Sequence, residues 1–383
     1  DDLIDLIKRL TEILNEKSIR MQIVIDEMNE VKEKFGDERR TSINYAGGDM
    51  RIEDIIPDAE VVITISNLGY VKRTLLSEYR TQSRGGVGSR GASARDSDFI
   101  EHVFVATNHN YLLFFTELGR CFWLRVFEIP EASRTSKGKA IVNLINIPSD
   151  DRVKTFINTK DLRNEDYVKD NYVVMCTKRG VIKKTSLEAY SRPRSNGINA
   201  ITVRDGDTLL EARLTNGEHE VLMAIGSGKA IRFPEDKVRA MGRNAAGVKG
   251  MKFDLDQDFV VGMVCPESDQ ESILVVSENG YGKRTLVEDY RITNRGGKGV
   301  KTLNITEKTG DLIGLVRVND DEDLMITTKN GIMIRMPVEG IRVMGRATQG
   351  VRVINLKKGE VIASIAKVPR SDEEDTTDME GQV

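Results

Sequence analysis

A mainly β, six-bladed propeller-like fold preceded by a short α-helical segment is what this sequence of 383 residues predicts, on three observations. Six glycines, Gly69, Gly119, Gly180, Gly228, Gly280 and Gly331, each stand between a run of β-formers and a strand that usually opens with Lys or Arg. A second glycine follows each of them, namely Gly88, Gly138, Gly197, Gly247, Gly299 and Gly350, at 19 residues in five pairs and 17 in the third. The pattern recurs every ~50 residues, the mark of a strand array whose blades bury their faces only against neighbours.

The first 36 residues read as helix. Leu3, Leu6, Ile7, Leu10, Ile13 and Leu14 fall at helical spacing, Met21, Val24, Ile25, Met28, Val31 and Phe35 continue the stripe, and Gly36 is placed to stop it. The stripe is already under way where the chain opens, without Met, so the chain is expected to be a piece of something longer. Residues 37–58 form a linker broken by Gly47-Gly48 and Pro57. Residues 59–370 hold the repeats. Strands are predicted at Val61–Ile65, Tyr111–Phe115, Tyr172–Cys176, Ile273–Val276 and Leu324–Thr327, from their β-branched and aromatic content. The turns Asn67-Leu68-Gly69, Lys178-Arg179-Gly180, Glu278-Asn279-Gly280 and Lys329-Asn330-Gly331 put Gly where a three-residue hairpin loop needs positive φ. Charge marks each strand leaving a turn, as in Lys72-Arg73, Arg125, Lys183-Lys184, Arg232, Lys283-Arg284 and Arg335. Tyr79, Tyr190 and Tyr290, ten residues after their turn glycines, are expected between blades. The polar stretch from Asn158 to Asp170 reads as a surface loop insertion. Residues 371–383 are too acidic and too poor in apolar groups to fold alone.

Composition narrows the function classes. A hydrophobic content of 39% suits a folded domain. With no long apolar run and no signal-like start, the cytoplasm is the expected compartment. Cys121, Cys176 and Cys265 lie far apart, and His102, His109 and His219 lack ligand spacing, so neither a disulfide nor a metal site is expected. The net charge of −3 hides segregation: residues 1–58 hold 15 acids and 9 bases, residues 371–383 hold 6 acids and no base, and residues 59–370 hold 48 bases and 39 acids. A repeat region at +9 between two ends at −6 each is suited to a polyanion.

Basic glycine loops carry that charge. The first reads Gln82-Ser83-Arg84-Gly85-Gly86-Val87-Gly88-Ser89-Arg90-Gly91, and the fifth Thr293-Asn294-Arg295-Gly296-Gly297-Lys298-Gly299. Without Cβ atoms a backbone can lie against a sugar-phosphate strand and aim N–H groups at phosphate oxygens, while Arg and Lys add charge. Weaker versions are Arg134 with Lys137, Gly138 and Lys139; Arg192-Pro193-Arg194 before Gly197; Arg239 with Arg243; and Arg342 with Arg346. Six in equivalent positions predict a basic rim suited to bent duplex DNA.

Two phosphate-loop patterns are set aside. Gly86-Val87-Gly88-Ser89-Arg90-Gly91 has the spacing of a dinucleotide fingerprint without the following helix, and Gly226-Ser227-Gly228-Lys229-Ala230 has the form of a hairpin turn. Trp123, in an apolar strand, is expected in the core rather than under a base.

At residues 82–88 the chain resembles the gyrase A box, Gln-Arg-Arg-Gly-Gly-Lys-Gly. Residues 59–370 are similar to the C-terminal domain of bacterial DNA gyrase A subunits, and Phe35-Gly36-Asp37-Glu38-Arg39-Arg40-Thr41 to the end of the helical core of those proteins. Ser83 and Val87 stand where the box has Arg and Lys, whereas the fifth loop keeps Arg295, Gly296, Gly297, Lys298 and Gly299, so wrapping is expected to rely on blade five. The resemblance implies a β-pinwheel of four-stranded antiparallel blades that binds duplex DNA without sequence preference, bends it and wraps it with positive handedness. It further implies two partners, a second gyrase A chain and the gyrase B chain, in which ATP, with Mg, drives negative supercoiling. The segment itself is expected to carry no cofactor and no catalytic residue, and its setting to be the nucleoid. The residues expected to meet DNA are Lys72, Arg73, Gln82, Arg84, Gly85, Gly86, Gly88, Arg90, Arg134, Lys137, Lys139, Lys183, Lys184, Arg192, Arg194, Arg239, Arg243, Lys283, Arg284, Arg295, Gly296, Gly297, Lys298, Gly299, Lys301, Arg342 and Arg346. Competing readings are the equivalent domain of topoisomerase IV and a protein-interaction propeller. The acidic tail either solubilises the chain or competes with DNA for the rim.

Overall fold

Each repeat builds three strands of one blade, and among the described residues each repeat from the second to the sixth adds the fourth strand of the blade before it. In the computed structural model, residues 1–37, 41, 52–76, 100–133, 136–160, 162–329, 333–356 and 359–369 are described. The chain divides at Asp54/Ile55 into two compact units.

The first unit contains α1 (Asp2–Asn15) and α2 (Lys17–Phe35), separated at Glu16, whose backbone is extended. Gly36 ends α2 as expected, but in an extended conformation (φ −68°) rather than a left-handed one, its N–H donating to Lys32 O. A short helix, α3 (Ile52–Ile55), lies in the segment expected to be linker. The residues after it are fastened to the first blade: Asn108 Nδ2 donates to Pro57 O and His109 N to Asp58 Oδ1.

The repeats supply strands in a fixed order. The first gives β1 (Glu60–Ser66), β2 (Tyr70–Leu75) and β3 (Ile100–Thr107). The second gives β4 (Tyr111–Thr116), β5 (Arg120–Arg125), β6 (Lys139–Ala140) and β7 (Val153–Thr159), followed by α4 (Glu165–Asp170). The third gives β8 (Tyr172–Thr177), β9 (Val181–Ser186), β10 (Ile198–Asn199) and β11 (Leu209–Thr215). The fourth gives β12 (Glu220–Ile225), β13 (Lys229–Pro234), β14 (Val248–Lys249) and β15 (Val260–Val264). The fifth gives β16 (Ser272–Ser277), β17 (Tyr281–Leu286), β18 (Val300–Lys301) and β19 (Leu312–Val318). The sixth gives β20 (Glu322–Thr328), β21 (Met333–Pro337), β22 (Val351–Arg352) and β23 (Ile362–Pro369).

Five sheets are four-stranded, in the orders β3-β1-β2-β6, β10-β5-β4-β7, β11-β8-β9-β14, β15-β12-β13-β18 and β19-β16-β17-β22; the sixth, β21-β20-β23, is three-stranded among the described residues. The outermost strand of each complete sheet therefore comes from the next repeat along the chain. At the other edge the inner strands form a ring, each packed against the next from β7 through β11, β15, β19 and β23 to β3. Between β3 and β7, Phe104 stacks on Phe156 at 5.3 Å and His102 meets it edge-on at 4.8 Å.

The paired glycines explain the strand exchange. Gly69, Gly119, Gly180, Gly228 and Gly280 have φ between +77° and +84° and close the hairpins, Gly69 N donating to Ser66 O at 2.9 Å and the others likewise. The second glycines are also left-handed, with φ of +82° at Gly138, +87° at Gly247, +72° at Gly299 and +76° at Gly350. Each presses on a carbonyl two residues past the turn glycine of the preceding blade: a Cβ would stand 2.5 Å from Val71 O at Gly138, 2.6 Å from Ile182 O at Gly247, 2.5 Å from Ala230 O at Gly299 and 2.6 Å from Gly282 O at Gly350. The interval is thus the chain length needed to reach back one blade and pair there.

Packing follows the blade interfaces. One core joins Leu113, Phe115 and Cys121 of the second repeat to Val173, Met175 and Tyr190 of the third, and Tyr190 meets the Phe115 ring at 5.9 Å. Tyr290 likewise packs with Leu222 and Ala224 of the preceding blade. Tyr79 lies outside the described residues. The stretch from Asn158 to Asp170 is not a surface loop: β7 runs to Thr159, Asn164 caps α4 by accepting from Tyr167 N at 3.0 Å, and Leu162 and Val168 are buried in that same core. The apolar residues hidden among polar ones in that segment override its polarity. No helix among the described residues is long and apolar enough to cross a membrane.

Gly299→Ala is expected to destabilise the domain by about 1–3 kcal/mol from backbone strain alone, before any displacement of Ala230. Gly242→Ala, with nothing within 4 Å of the added carbon, should leave the melting temperature nearly unchanged. Equal melting of the two variants would contradict the close-approach role.

Candidate nucleic-acid interface

The cations that open the hairpin strands hold the blades together from inside. Lys72 is 2% exposed and Lys183 and Lys283 are fully buried. Lys72 Nζ donates to Ser136 O at 3.0 Å, Lys183 Nζ to Ala200 O at 2.6 Å and Arg243 O at 2.5 Å, and Lys283 Nζ to Gly345 O at 2.7 Å and Arg346 O at 2.6 Å. Burial pushes the Lys183 and Lys283 ammonium groups down to about 8, so both are still protonated at neutral pH and donate as cations. Arg284 donates to Ile341 O at 2.6 Å and pairs with Asp320. Lys184 lies over the Tyr172 ring at 4.5 Å, and Arg73 donates to Ile129 O at 3.0 Å and Asn108 Oδ1 at 2.9 Å. Lys72, Lys183, Lys184, Lys283 and Arg284 are buried and so, contrary to expectation, do not face DNA, whereas Arg73 is half-buried. A position two to four residues past a turn faces the incoming loop, whose carbonyls need donors once withdrawn from water.

Those incoming loops make the outer rim, and successive loops are bonded to one another. Thr202 Oγ1 donates to Asn244 O at 2.8 Å and Thr202 N to Ala245 O at 3.3 Å. Farther round, Gly296 N donates to Gly250 O at 2.6 Å, Lys252 N to Gly297 O at 2.9 Å and Arg295 Nη1 to Lys249 O at 3.2 Å. Asn304 N donates to Thr348 O at 3.0 Å and Arg346 Nη1 to Lys301 O at 3.2 Å. The third to sixth loops are therefore one continuous track.

On this track Arg192, Arg194, Arg239, Arg295, Lys298, Lys301 and Arg342 are exposed, and Arg243, Arg346, Gly296, Gly297 and Gly299 are half-buried; in the second loop Lys139 is exposed and Lys137 half-buried. Gln82, Arg84, Gly85, Gly86, Gly88, Arg90 and Arg134 lie outside the described residues, as does the acidic tail. The exchange strands add cations the loop pattern misses. Lys249 and Arg352 lie exposed on β14 and β22, and Lys229 on β13 stands directly opposite Lys301 on β18. Arg120 on β5 stands opposite Asn199 on β10 and donates to Asn196 O. Their signal is a Lys or Arg one residue past the turn glycine or two past the second glycine. Like charges facing across a strand pair are unfavourable by up to ~1 kcal/mol, so the Lys229–Lys301 pair is costly unless an anion covers it.

The remaining titratable groups are structural in setting. His102 is pushed down to about 4 by burial and by Arg213 and Lys367, so it is neutral at pH 7. Cys121 and Cys176 are buried and unbridged, and burial pushes the Cys265 thiol up to about 12. Trp123 packs against the core and donates Nε1–H to Tyr190 O at 2.9 Å. No group of His, Cys, Asp and Glu among the described residues could hold a metal ion.

A family model described as the DNA gyrase C-terminal domain, β-propeller, matches residues 60–107, 110–160, 171–216, 220–267, 271–319 and 322–369, one match per repeat. The DNA gyrase A protein of Staphylococcus epidermidis (strain ATCC 12228 / FDA PCI 1200) is 44% identical over 375 residues, covering 97% of this chain and 41% of that protein. Its counterpart in Staphylococcus aureus (strain NCTC 8325 / PS 47) is 43% identical over 382 residues, covering 99% and 42%. The chain thus spans about two fifths of the length of these curated relatives. Among solved structures, the C-terminal domain of DNA topoisomerase IV aligns with a TM-score of 0.71 at 26% identity, covering 83% of this chain and 96% of that one. A DNA gyrase A C-terminal domain aligns with a TM-score of 0.61 at 25% identity, covering 80% and 99%.

Lys283→Ala is expected to lower stability by about 1–3 kcal/mol by leaving loop carbonyls without their donor. Arg342→Ala, on the exposed rim, should stay within about 0.5 kcal/mol of the parent. Denaturant titration of the two variants checks the division between buried and rim cations.

Proposed function

This chain belongs to the DNA gyrase C-terminal β-propeller family, and on that premise we propose that it binds duplex DNA along its rim without reading sequence, bends it and wraps it. The observation that carries this reading is the continuous track of hydrogen-bonded loops with exposed cations on it, Arg239, Arg295, Lys298, Lys301 and Arg342 among them. A track of charge fixed to a curved rim neutralises phosphates in succession, and those contacts can offset the ~1–6 kcal/mol needed to bend a site of 20–30 base pairs. Contacts to phosphate carry no base information, so binding is indifferent to sequence.

In the longer protein the wrapped segment is presented to a DNA gate formed with a second gyrase A chain. ATP hydrolysis in the gyrase B chain then drives negative supercoiling. This chain's residues bind and shape DNA, and the cutting chemistry lies elsewhere. The higher TM-score to the topoisomerase IV domain favours a second reading, in which the same rim selects a DNA segment without a full wrap.

Duplex affinity should fall linearly on log–log axes with salt, by about 0.9 per phosphate neutralised. Charge reversal at Arg295 and Lys298 should shallow that slope by about 2 and abolish wrapping if blade five dominates. Relaxed circles incubated with the chain and a relaxing enzyme should be left supercoiled under the wrapping reading and relaxed under the second. Salt-independent affinity would sink both.

A further inference from the structure

Resting on the proposal that the rim meets duplex DNA, we infer that the rim loops of the fourth and sixth repeats are preformed main-chain sites for a backbone phosphate, each organised from beneath by a buried lysine. The third residue past each turn glycine alternates along the chain: Lys72, Phe122, Lys183, Ile231, Lys283, Ile334. The fifth alternates with it, Thr74, Thr185 and Thr285 in odd blades and Leu124, Phe233 and Met336 in even ones. The rim therefore has a period of two blades. Odd blades face the loops of the second, fourth and sixth repeats, and their Lys donate into those loops, joined in the first and fifth blades by Thr74 Oγ1, which donates to Ala132 O at 3.0 Å, and Thr285 Oγ1, which donates to Met344 O at 2.9 Å.

All three of these loops close the same tight turn five residues before their second glycine. Ser136 N donates to Ser133 O at 3.1 Å, Ala245 N to Gly242 O at 3.0 Å and Thr348 N to Gly345 O at 3.3 Å. In the sixth repeat the Lys283 ammonium draws the Gly345 and Arg346 carbonyls inward. A trans peptide holds its N–H opposite its C=O, so the N–H groups of Arg346 and Ala347 point away from the buried lysine. In the fourth repeat Lys183 draws in Arg243 O and turns the Asn244 N–H outward in the same way. Among the described residues none of these three N–H groups has an acceptor in the chain. In the sixth loop the two adjacent outward N–H groups form a concavity that binds anions, flanked by the charge of Arg346, and in the fourth the single Asn244 N–H stands beside Arg243.

The odd loops are built differently. The third closes its turn on the second glycine itself, Gly197 N to Arg194 O at 2.9 Å, has Pro193 four residues before its glycine, and seats Gly197 against the Phe122 ring. The fifth sets Gly297 against Ile231, where a Cβ would stand 3.5 Å from that side chain. Apolar seats provide no inward donor, so they do not orient the loop peptides. Lys183 and Lys283 are positioning residues: they touch no ligand and set the direction of the groups that do.

The test compares two variants of the whole chain, Arg346→Gln and Arg346→Pro. Both remove the same charge, whereas only proline removes the N–H, at a turn position that proline favours. Affinity for a fluorescent duplex is expected to be about threefold lower for the proline variant than for the glutamine variant, from the one lost hydrogen bond. Equal affinities overturn the main-chain phosphate site while leaving duplex binding standing; an unmodified chain that binds no duplex overturns both. In the unmodified chain, the amide resonances of Asn244, Arg346 and Ala347 should shift on titration with the duplex, and amides unmoved at saturation would also overturn it.

Discussion

The contact on which the domain depends is the close approach of a glycine in one repeat to a carbonyl of the blade before it. With Cβ positions 2.5–2.6 Å from Val71 O, Ile182 O, Ala230 O and Gly282 O, only a residue without that carbon can stand there. The left-handed backbone at the same positions adds a second reason for glycine. Once the approach is made, two residues pair with the outer hairpin strand, so that each blade is completed by its successor. The exchange ties neighbouring blades by main-chain hydrogen bonds as well as by the apolar cores between them.

Exchange also determines where charge can go. The loop leading to each exchange strand crosses the preceding blade's hairpin and brings carbonyls with it. In odd blades those carbonyls meet buried ammonium groups, Lys183 and Lys283 fully enclosed. A buried cation is costly unless its partners are in place. Here the partners belong to the next repeat, so the ion pulls the loop into position. The cations beyond the loop, Lys249, Lys301 and Arg352 on the exchange strands, are left on the outer edge facing water or a partner. Position relative to the two glycines, more than residue type, separates the structural from the rim cations.

Blade number, the hairpin turns and the helical start were legible in the sequence because each rests on local rules: glycine with positive φ, strand alternation and the helical stripe. The strand exchange was not, because a two-residue strand such as Val300–Lys301 has no periodicity of its own. Lys72 and Lys283 looked like rim residues for the same reason. A lysine in a polar-looking stretch reads as solvated until the loop that covers it is placed. The segment containing Leu162 and Val168 was misread as loop because two buried side chains among eleven mostly polar neighbours leave too weak a pattern.

By itself, then, the sequence determined a repeat array of six strand units, a basic middle between acidic ends, and loops chemically suited to a phosphate backbone. Those are properties of spacing and composition, which survive without coordinates. Tertiary structure alone decided which cations are enclosed and which are free, that the third to sixth loops join into one track, and that alternate loops sit on lysine or on apolar seats. Such properties depend on which carbonyl lies within hydrogen-bonding reach of which donor some 60 residues away, a distance that no local pattern encodes.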